Sequence, residues 1–245
     1  MPPKKITEFY NIGMTPESEG SSFIIEYNIL LRTAESVNNF NLLYKTWRSG
    51  EKGPSTHAQQ DLYRAMLAFA CAGLDVLLKQ LVKTKLSGII SADKNAQEKF
   101  KEHVKRGINL KEPNKILNTV ALALIDQNPK EILLKEYIED LTRDSLQAKD
   151  KVMTIISASG LGDKFLSNEK LNAMKDAFEA RNQIIHEMDI NTLDNLSKTR
   201  GYRTRRQRTA PQVEKHTKTI LDLAKNIFIA YKKKFEDFGI DIKKS

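Results

Sequence analysis

The sequence predicts an all-α fold, a single domain of long helices packed antiparallel as a bundle. Apolar residues recur three and four positions apart over long segments, which is the pattern of amphipathic helices. No segment shows the alternation of apolar and polar residues between hairpin turns that is typical of strands. The length of 245 residues suits one large or two small domains, and no internal repeat is visible.

Two long helices open the predicted domain, at about residues 22–47 and 57–86. Gly73 lies inside the second helix, where glycine costs about 1 kcal/mol relative to alanine and therefore indicates close packing of a neighbour. Arg64 and Asp75 interrupt the apolar pattern of the same helix, and we expect both at its edges. Shorter helices are predicted at 93–105, 113–125, 129–141 and 142–156.

The domain is expected to span residues 21–240. Residues 1–20 combine Pro, Gly, Ser and charged residues without periodicity, so we expect a flexible or loosely docked N-terminal arm. Towards the C-terminus, a helix at about 168–189 is followed by a basic loop at 198–208 and by a last helix at about 211–238.

The chain is basic, with 40 Lys and Arg residues against 31 Asp and Glu residues, a net charge of +9 and a pI of about 9.4. This excess favours a polyanionic partner, nucleic acid first and an anionic membrane second, without proving either. Cys71 is the only cysteine, which excludes an internal disulfide and favours a reducing cytoplasm. No apolar run predicts a transmembrane span, and the first residues do not resemble a secretory signal.

Three polar residues near the end of the 168–189 helix are candidates for chemistry. The apolar stripe of that helix comprises Leu171, Met174, Ala177, Phe178, Ile184, Ile185 and Met188. Arg181 falls near the centre of the stripe, whereas Asn182 and His186, four residues apart, share its edge. A permanent charge on an apolar face is costly unless it meets an anion or a polar cleft. Alternatively, Arg181 pairs internally, for example with Asp189, and His186 is an ordinary half-buried histidine.

The loop at 198–208 is a second candidate, because it contains six basic residues and no acidic one. The six are Lys198, Arg200, Arg203, Arg205, Arg206 and Arg208. Charged runs are usually only solvated surfaces. Because this run follows the helix of Arg181 and His186 so closely, we expect a shared polyanion site in which the six side chains contact RNA.

Several established motifs are absent from the sequence. A zinc-protease helix would need a second histidine at the position of Ile190. One cysteine and four scattered histidines do not have the spacing of metal ligands, so we expect neither a metal nor another cofactor. Neither a phosphate-binding loop in its proper context nor a Gly-x-Ser-x-Gly elbow is present.

An arginine, an amide and a histidine close together suit metal-free cleavage of a phosphodiester. The guanidinium can hold the scissile phosphate and stabilise the charge that builds on it. A histidine can accept the 2′-hydroxyl proton or give a proton to the leaving oxygen. Asn182 can orient the imidazole or bind a phosphate oxygen. One histidine cannot be base and acid at once, so a symmetric dimer would complete the site.

At these residues the sequence resembles the HEPN superfamily, whose signature is an arginine, a polar residue and a histidine about five to seven positions after the arginine. Arg181, Asn182 and His186 match that pattern. Three segments are similar to the branch called RiboL-PSP-HEPN: Leu62–Asp75, Asp144–Gln147 and Glu179–Asp189. The resemblance covers about residues 57–235, so the first predicted helix is an addition to the family's bundle.

The resemblance implies a helical bundle, a homodimer with a composite cleft and metal-independent RNA cleavage, with Arg181, Asn182 and His186 as catalytic residues. Its products would be a 2′,3′-cyclic phosphate or 3′-phosphate end and a 5′-hydroxyl end. Family members commonly act as toxins or in phage defence, which implies an antitoxin or a regulatory protein as a further partner. Some members only bind or dimerise.

Two other functions stay open from the residues alone. A non-catalytic nucleic-acid-binding or adaptor module would bind through residues 198–208 without turnover. A helical scaffold would use Arg181 and His186 in an internal ion pair, and Arg181→Ala would then be strongly destabilising.

Overall fold

The computed structural model describes residues 9–14, 21–109, 114–162, 165–189 and 205–240. Within these ranges the protein contains eight α-helices and no strand, which confirms the all-α prediction. In chain order the helices are α1 (Ile24–Arg48), α2 (His57–Ala92), α3 (Lys94–Asn109), α4 (Asn114–Ile125), α5 (Pro129–Thr142), α6 (Lys149–Ala158), α7 (Asn168–His186) and α8 (Ala210–Asp237).

Helix α2 is the centre of the hydrophobic core. It packs against α1, α8, α7, α5 and α3, and most of its apolar side chains from Tyr63 to Ile90 are buried. Thr56 begins α2 with a capping box, in which its side chain accepts from the N–H of Gln59 and its own N–H donates to the Gln59 side chain. Each fully buried apolar side chain stabilises the folded state by about 1.5–3 kcal/mol. Because α2 provides many of these side chains, the packing of the other helices depends on it.

By length and apolar composition, α2 is also the one helix in the described ranges that could cross a membrane. The central helix of a soluble protein passes the same test, and half of the apolar window of α2 is buried inside the protein. This is weak support for a span, and the absence of a membrane segment stays a prediction.

Helix α3 ends at Asn109 instead of 105 and α7 at His186 instead of 189, and two other helix ends differ more from the predicted ones. Helix α2 continues to Ala92, because its apolar pattern goes on beyond residue 86. The helix predicted at 142–156 begins only at Lys149. The backbone N–H of Leu146 donates instead to Oδ1 of Asp75 in α2, at 2.6 Å, and so takes part in a tertiary contact rather than a helix.

The described part of the N-terminal arm, residues 9–14, packs against the core. The backbone of Tyr10 exchanges two hydrogen bonds of 2.9 Å with the side chain of Asn38, and its hydroxyl donates to Asp222 of α8 at 2.8 Å. These partners, distant in sequence, fix residues 9–14 where composition indicated no structure. The rest of 1–20 lies outside the described residues.

Helix α1 packs against α2 with no room for a side chain at Gly73. A Cβ atom at this position would lie 2.2 Å from Oγ1 and 2.7 Å from Cβ of Thr33 in α1. Atoms cannot approach that closely, so alanine would force the two helices apart. The close packing predicted from Gly73 is confirmed.

We predict that Gly73→Ala lowers the free energy of unfolding, because overpacking costs about 1–3 kcal/mol and better helix propensity returns only about 1 kcal/mol. Gly88→Ala in the same helix is the matched control, since a Cβ there would lie 3.1 Å from Cγ2 of Ile240 and 3.4 Å from Cζ of Phe235, much farther than Thr33 would lie from a Cβ at Gly73. Urea unfolding should give a lower midpoint for Gly73→Ala alone. Equal midpoints for the two variants would contradict the prediction.

Candidate active site

The candidate catalytic residues lie at the C-terminal end of α7. Ser167 caps the N-terminus of this helix, because its side chain accepts from the N–H of Lys170. Buried Met174, Ala177, Phe178 and Ala180 form its inner face. Helix α7 contacts α2, α8 and α6. Packing against these three helices therefore holds the C-terminal turns of α7 in place.

The structure brings Arg181, Asn182 and His186 together. Nη1 of Arg181 lies 3.0 Å from Oδ1 of Asn182 and 3.2 Å from Nε2 of His186. A guanidinium can only donate, so Nε2 of His186 is the acceptor in this hydrogen bond. Arg181 is half-buried, whereas Asn182 and His186 are exposed. The three residues therefore form one hydrogen-bonded unit that solvent can reach.

Among the described residues, no carboxylate neutralises Arg181. Its Nε is buried without a hydrogen-bond partner, and both partners of Nη1 are uncharged. Burial raises the pKa of the Cys71 thiol to about 12, although the charge of Arg181 acts to lower it. The thiol therefore stays protonated and is no counterion. The guanidinium is free to bind an anion from outside.

Asp189 was the internal partner considered for Arg181, but it binds two other arginines. It is fully buried, and its Oδ2 accepts from Nε of Arg64 at 2.8 Å. Both of its oxygens accept from Arg208, at 2.8 to 2.9 Å. Arg64 is only 3% exposed, so its expected position at the edge of α2 was wrong. Asp61, three residues earlier in α2, binds Nη1 of Arg64 at 3.1 Å. The buried countercharge of Arg64, Asp189, lies 125 residues away, where the pattern of α2 could not indicate it.

The described part of the predicted basic loop is paired internally. The pairs are Arg205–Asp61 at 2.7 Å, Arg206–Glu187 at 3.2 Å and Arg208–Asp189 at 2.8 Å. Lys198, Arg200 and Arg203 lie outside the described residues. The carboxylate offsets the charge of a paired arginine, which weakens its attraction for a phosphate. This half of the loop therefore offers less free positive charge than the sequence suggests.

An apolar groove of about 660 Å³ separates α2 from the end of α7. Its apolar lining consists of Ala65, Ala68, Phe69, Ile184, Ile185 and Met188. Phe69, Ile185 and Met188 are 49%, 43% and 63% exposed. Helical periodicity had placed Ile185 and Met188 on the buried stripe, but periodicity does not tell what covers a stripe. Exposed apolar surface of this kind is typical of a binding face.

The comparisons with known proteins add no functional assignment. The chain matches no family model, no curated protein and no solved structure at a significant level. In the part of the chain that the structure describes, no three His, Cys, Asp or Glu side chains are grouped so that they could hold a metal ion. The geometry of the site therefore carries the functional argument.

The internal pairings predict a large loss of stability for one variant and a small loss for another. Asp189→Ala leaves Arg208 without its carboxylate and buried Arg64 with only the half-exposed Asp61, and should cost about 3–5 kcal/mol of unfolding free energy. Arg181→Ala removes only neutral hydrogen bonds and should cost less than about 1 kcal/mol. Chemical denaturation of both variants measures the difference. If Arg181→Ala proves as damaging as Asp189→Ala, Arg181 has a structural role instead.

Proposed function

We propose that this protein is a metal-independent endoribonuclease of the HEPN type, with Arg181, Asn182 and His186 as its catalytic residues. The observation that carries the proposal is a half-buried guanidinium that has no acidic partner in the described ranges and lies 3.2 Å from an exposed imidazole. The guanidinium suits an anionic substrate, and the imidazole suits a reaction in which one substrate oxygen loses a proton and another gains one. The family resemblance around these residues supports the same function.

In the proposed reaction the guanidinium of Arg181 binds the non-bridging oxygens of one RNA phosphate. Anion binding draws Arg181 from Nε2 of His186, whose lone pair then accepts the proton of the adjacent 2′-hydroxyl. The 2′-oxygen forms a bond to phosphorus while the bond from phosphorus to the 5′-oxygen breaks. The 5′-oxygen takes a proton, which leaves a 2′,3′-cyclic phosphate and a 5′-hydroxyl.

The leaving 5′-oxygen needs an acid, and the imidazole that has just acted as a base is on the wrong side of the phosphate. We assign the acid to His186 of the partner subunit, in its protonated form. The transition state gathers negative charge on the phosphate, and Arg181 stabilises it by bidentate hydrogen bonds. Asn182, which touches the guanidinium, would hold Arg181 in this orientation.

A homodimer follows from this need for two histidines. The apolar groove beside α7 is the surface that we propose to lie between the two copies, because Ile185 precedes His186 directly and is exposed. Association through the groove would bring the two α7 ends into one composite cleft. The helices packed around α2 would then correspond to an antiparallel HEPN bundle, with α1 as its additional N-terminal helix.

A ribonuclease of this kind must be restrained in a cell that depends on its own RNA. We propose that the protein is a cytoplasmic toxin or anti-phage effector, with RNA as its substrate and an antitoxin or a regulatory protein as a further partner. Lys198, Arg200 and Arg203 are the residues of the basic loop left to contact the RNA backbone without first breaking a described ion pair.

The first test is cleavage of total cellular RNA in EDTA. Wild type should cut it and leave cyclic or 3′-phosphate ends, whereas His186→Ala should lose about 10²–10⁴-fold in rate. His57→Ala, at the exposed start of α2, is the matched histidine control and should cut normally. The proposal fails if wild type does not cut, or if His186→Ala cuts at the full rate.

The second test concerns the dimer. Phe69→Asp places a charge in the apolar groove and should give a monomer, because burying an unpaired carboxylate in an interface is strongly unfavourable. Leu124→Asp is the matched control, since Leu124 is 78% exposed on α4, away from the groove. Sedimentation should report a dimer for wild type and Leu124→Asp. A dimer for Phe69→Asp would remove the groove from the proposed interface.

A further inference from the structure

The turn after His186 has a backbone that its residues do not favour by themselves. Met188 and Asp189 have φ angles of 51° and 56°. The left-handed region is open to glycine and, less readily, to Asn and Asp, but methionine seldom adopts it. Two such residues in succession need support from outside the turn.

Arginine contacts on both sides of His186 supply this support. Arg64 of α2 and Arg208, two residues before α8, hold the carboxylate of Asp189. Arg208 also donates to Oε1 of Gln183, three residues before His186, at 2.7 Å. The N–H of Asp189 donates to the carbonyl of Gln183 at 2.8 Å. The cluster therefore spans the segment from Gln183 to Asp189, which contains the last turn of α7 with His186 and the turn that follows it.

His186 itself does not touch this cluster. In the described part of the chain its side chain has one hydrogen-bonding contact, with Arg181, and it is exposed to solvent. Neighbouring side chains therefore do little to hold the imidazole. Its position relative to Arg181 depends on the backbone of the last turn of α7, which ends at His186 and can fray there unless the cluster holds it.

We infer that Asp189, held by Arg64 and Arg208, is a positioning residue that keeps Nε2 of His186 beside the guanidinium of Arg181. The kinetic consequence rests on the proposed ribonuclease function, whereas the positioning does not. Loosening the cluster lets the turn relax and moves the imidazole, and a displacement of about 1 Å costs a reaction about 10²-fold. Binding of the phosphate by Arg181 is largely kept.

Arg208→Lys is the variant that tests this inference. Lysine keeps the positive charge beside Asp189, so the variant folds, but it lacks the fork that binds Asp189 and Gln183 together. Lys85→Gln is the control for stability alone, because it breaks the buried pair of Lys85 with Glu26 (3.3 Å), which does not involve α7. We expect kcat to fall about 10- to 100-fold for Arg208→Lys, with KM within about threefold, and both to be kept in Lys85→Gln. A raised KM with normal kcat would show that Arg208 contacts RNA and would overturn the inference.

A second readout does not need activity. The ¹H–¹³C imidazole signal of His186, assigned by its loss in His186→Ala, should shift and broaden in Arg208→Lys and stay in place in Lys85→Gln. An unchanged signal overturns the inference whatever the enzyme does. If wild type cuts no RNA but the signal shifts in Arg208→Lys, the proposed function fails and the positioning stands.

Discussion

The buried carboxylate of Asp189 is the constraint on which the geometry of the site depends. It joins α2 through Arg64 and the segment before α8 through Arg208, at the point where α7 ends. Tyr63 adds a hydrogen bond to the carbonyl of Arg208. A buried ion cluster contributes little net stability, since removing the charges from water costs about as much as their attraction returns. Its effect is to specify one arrangement of three elements that are far apart in the chain.

This cluster also divides the arginines of the region into two kinds. Arg64 and Arg208 are committed to a carboxylate, and Arg205 and Arg206 pair with acidic residues nearer the surface. Arg181 differs from these four arginines, because its guanidinium has no anionic partner among the described residues. It is also the arginine that lies beside His186. A binding module that used the whole basic loop would lose these pairings when it met RNA. The arrangement therefore favours the catalytic interpretation over the binding one.

The sequence predicted what depends on neighbours along the chain. Asn182 and His186 follow Arg181 on one helix, so helical geometry alone predicts that they lie close together. Gly73 predicted a close contact between helices because glycine has no side chain to keep a neighbour away. The pairing of Arg64 with Asp189 and the docking of Tyr10 onto Asn38 and Asp222 join distant residues, and no periodicity reports such contacts. The same limit explains why Ile185 and Met188 were assigned to the core. A stripe predicts an apolar face and not its partner.

The position of Arg181 is difficult to explain if α7 is only a structural helix. A buried nitrogen without a hydrogen bond costs about 1–3 kcal/mol, and Nε of Arg181 is such a nitrogen. Leucine would fit the centre of an apolar stripe better, so a scaffold would gain stability by losing this charge. Residues of active sites are commonly unfavourable for the stability of the free protein, because they are complementary to the transition state of a bound substrate. A phosphate bound by the guanidinium of Arg181 would neutralise its charge, which is why the unfavourable features of Arg181 argue for a substrate rather than against the fold.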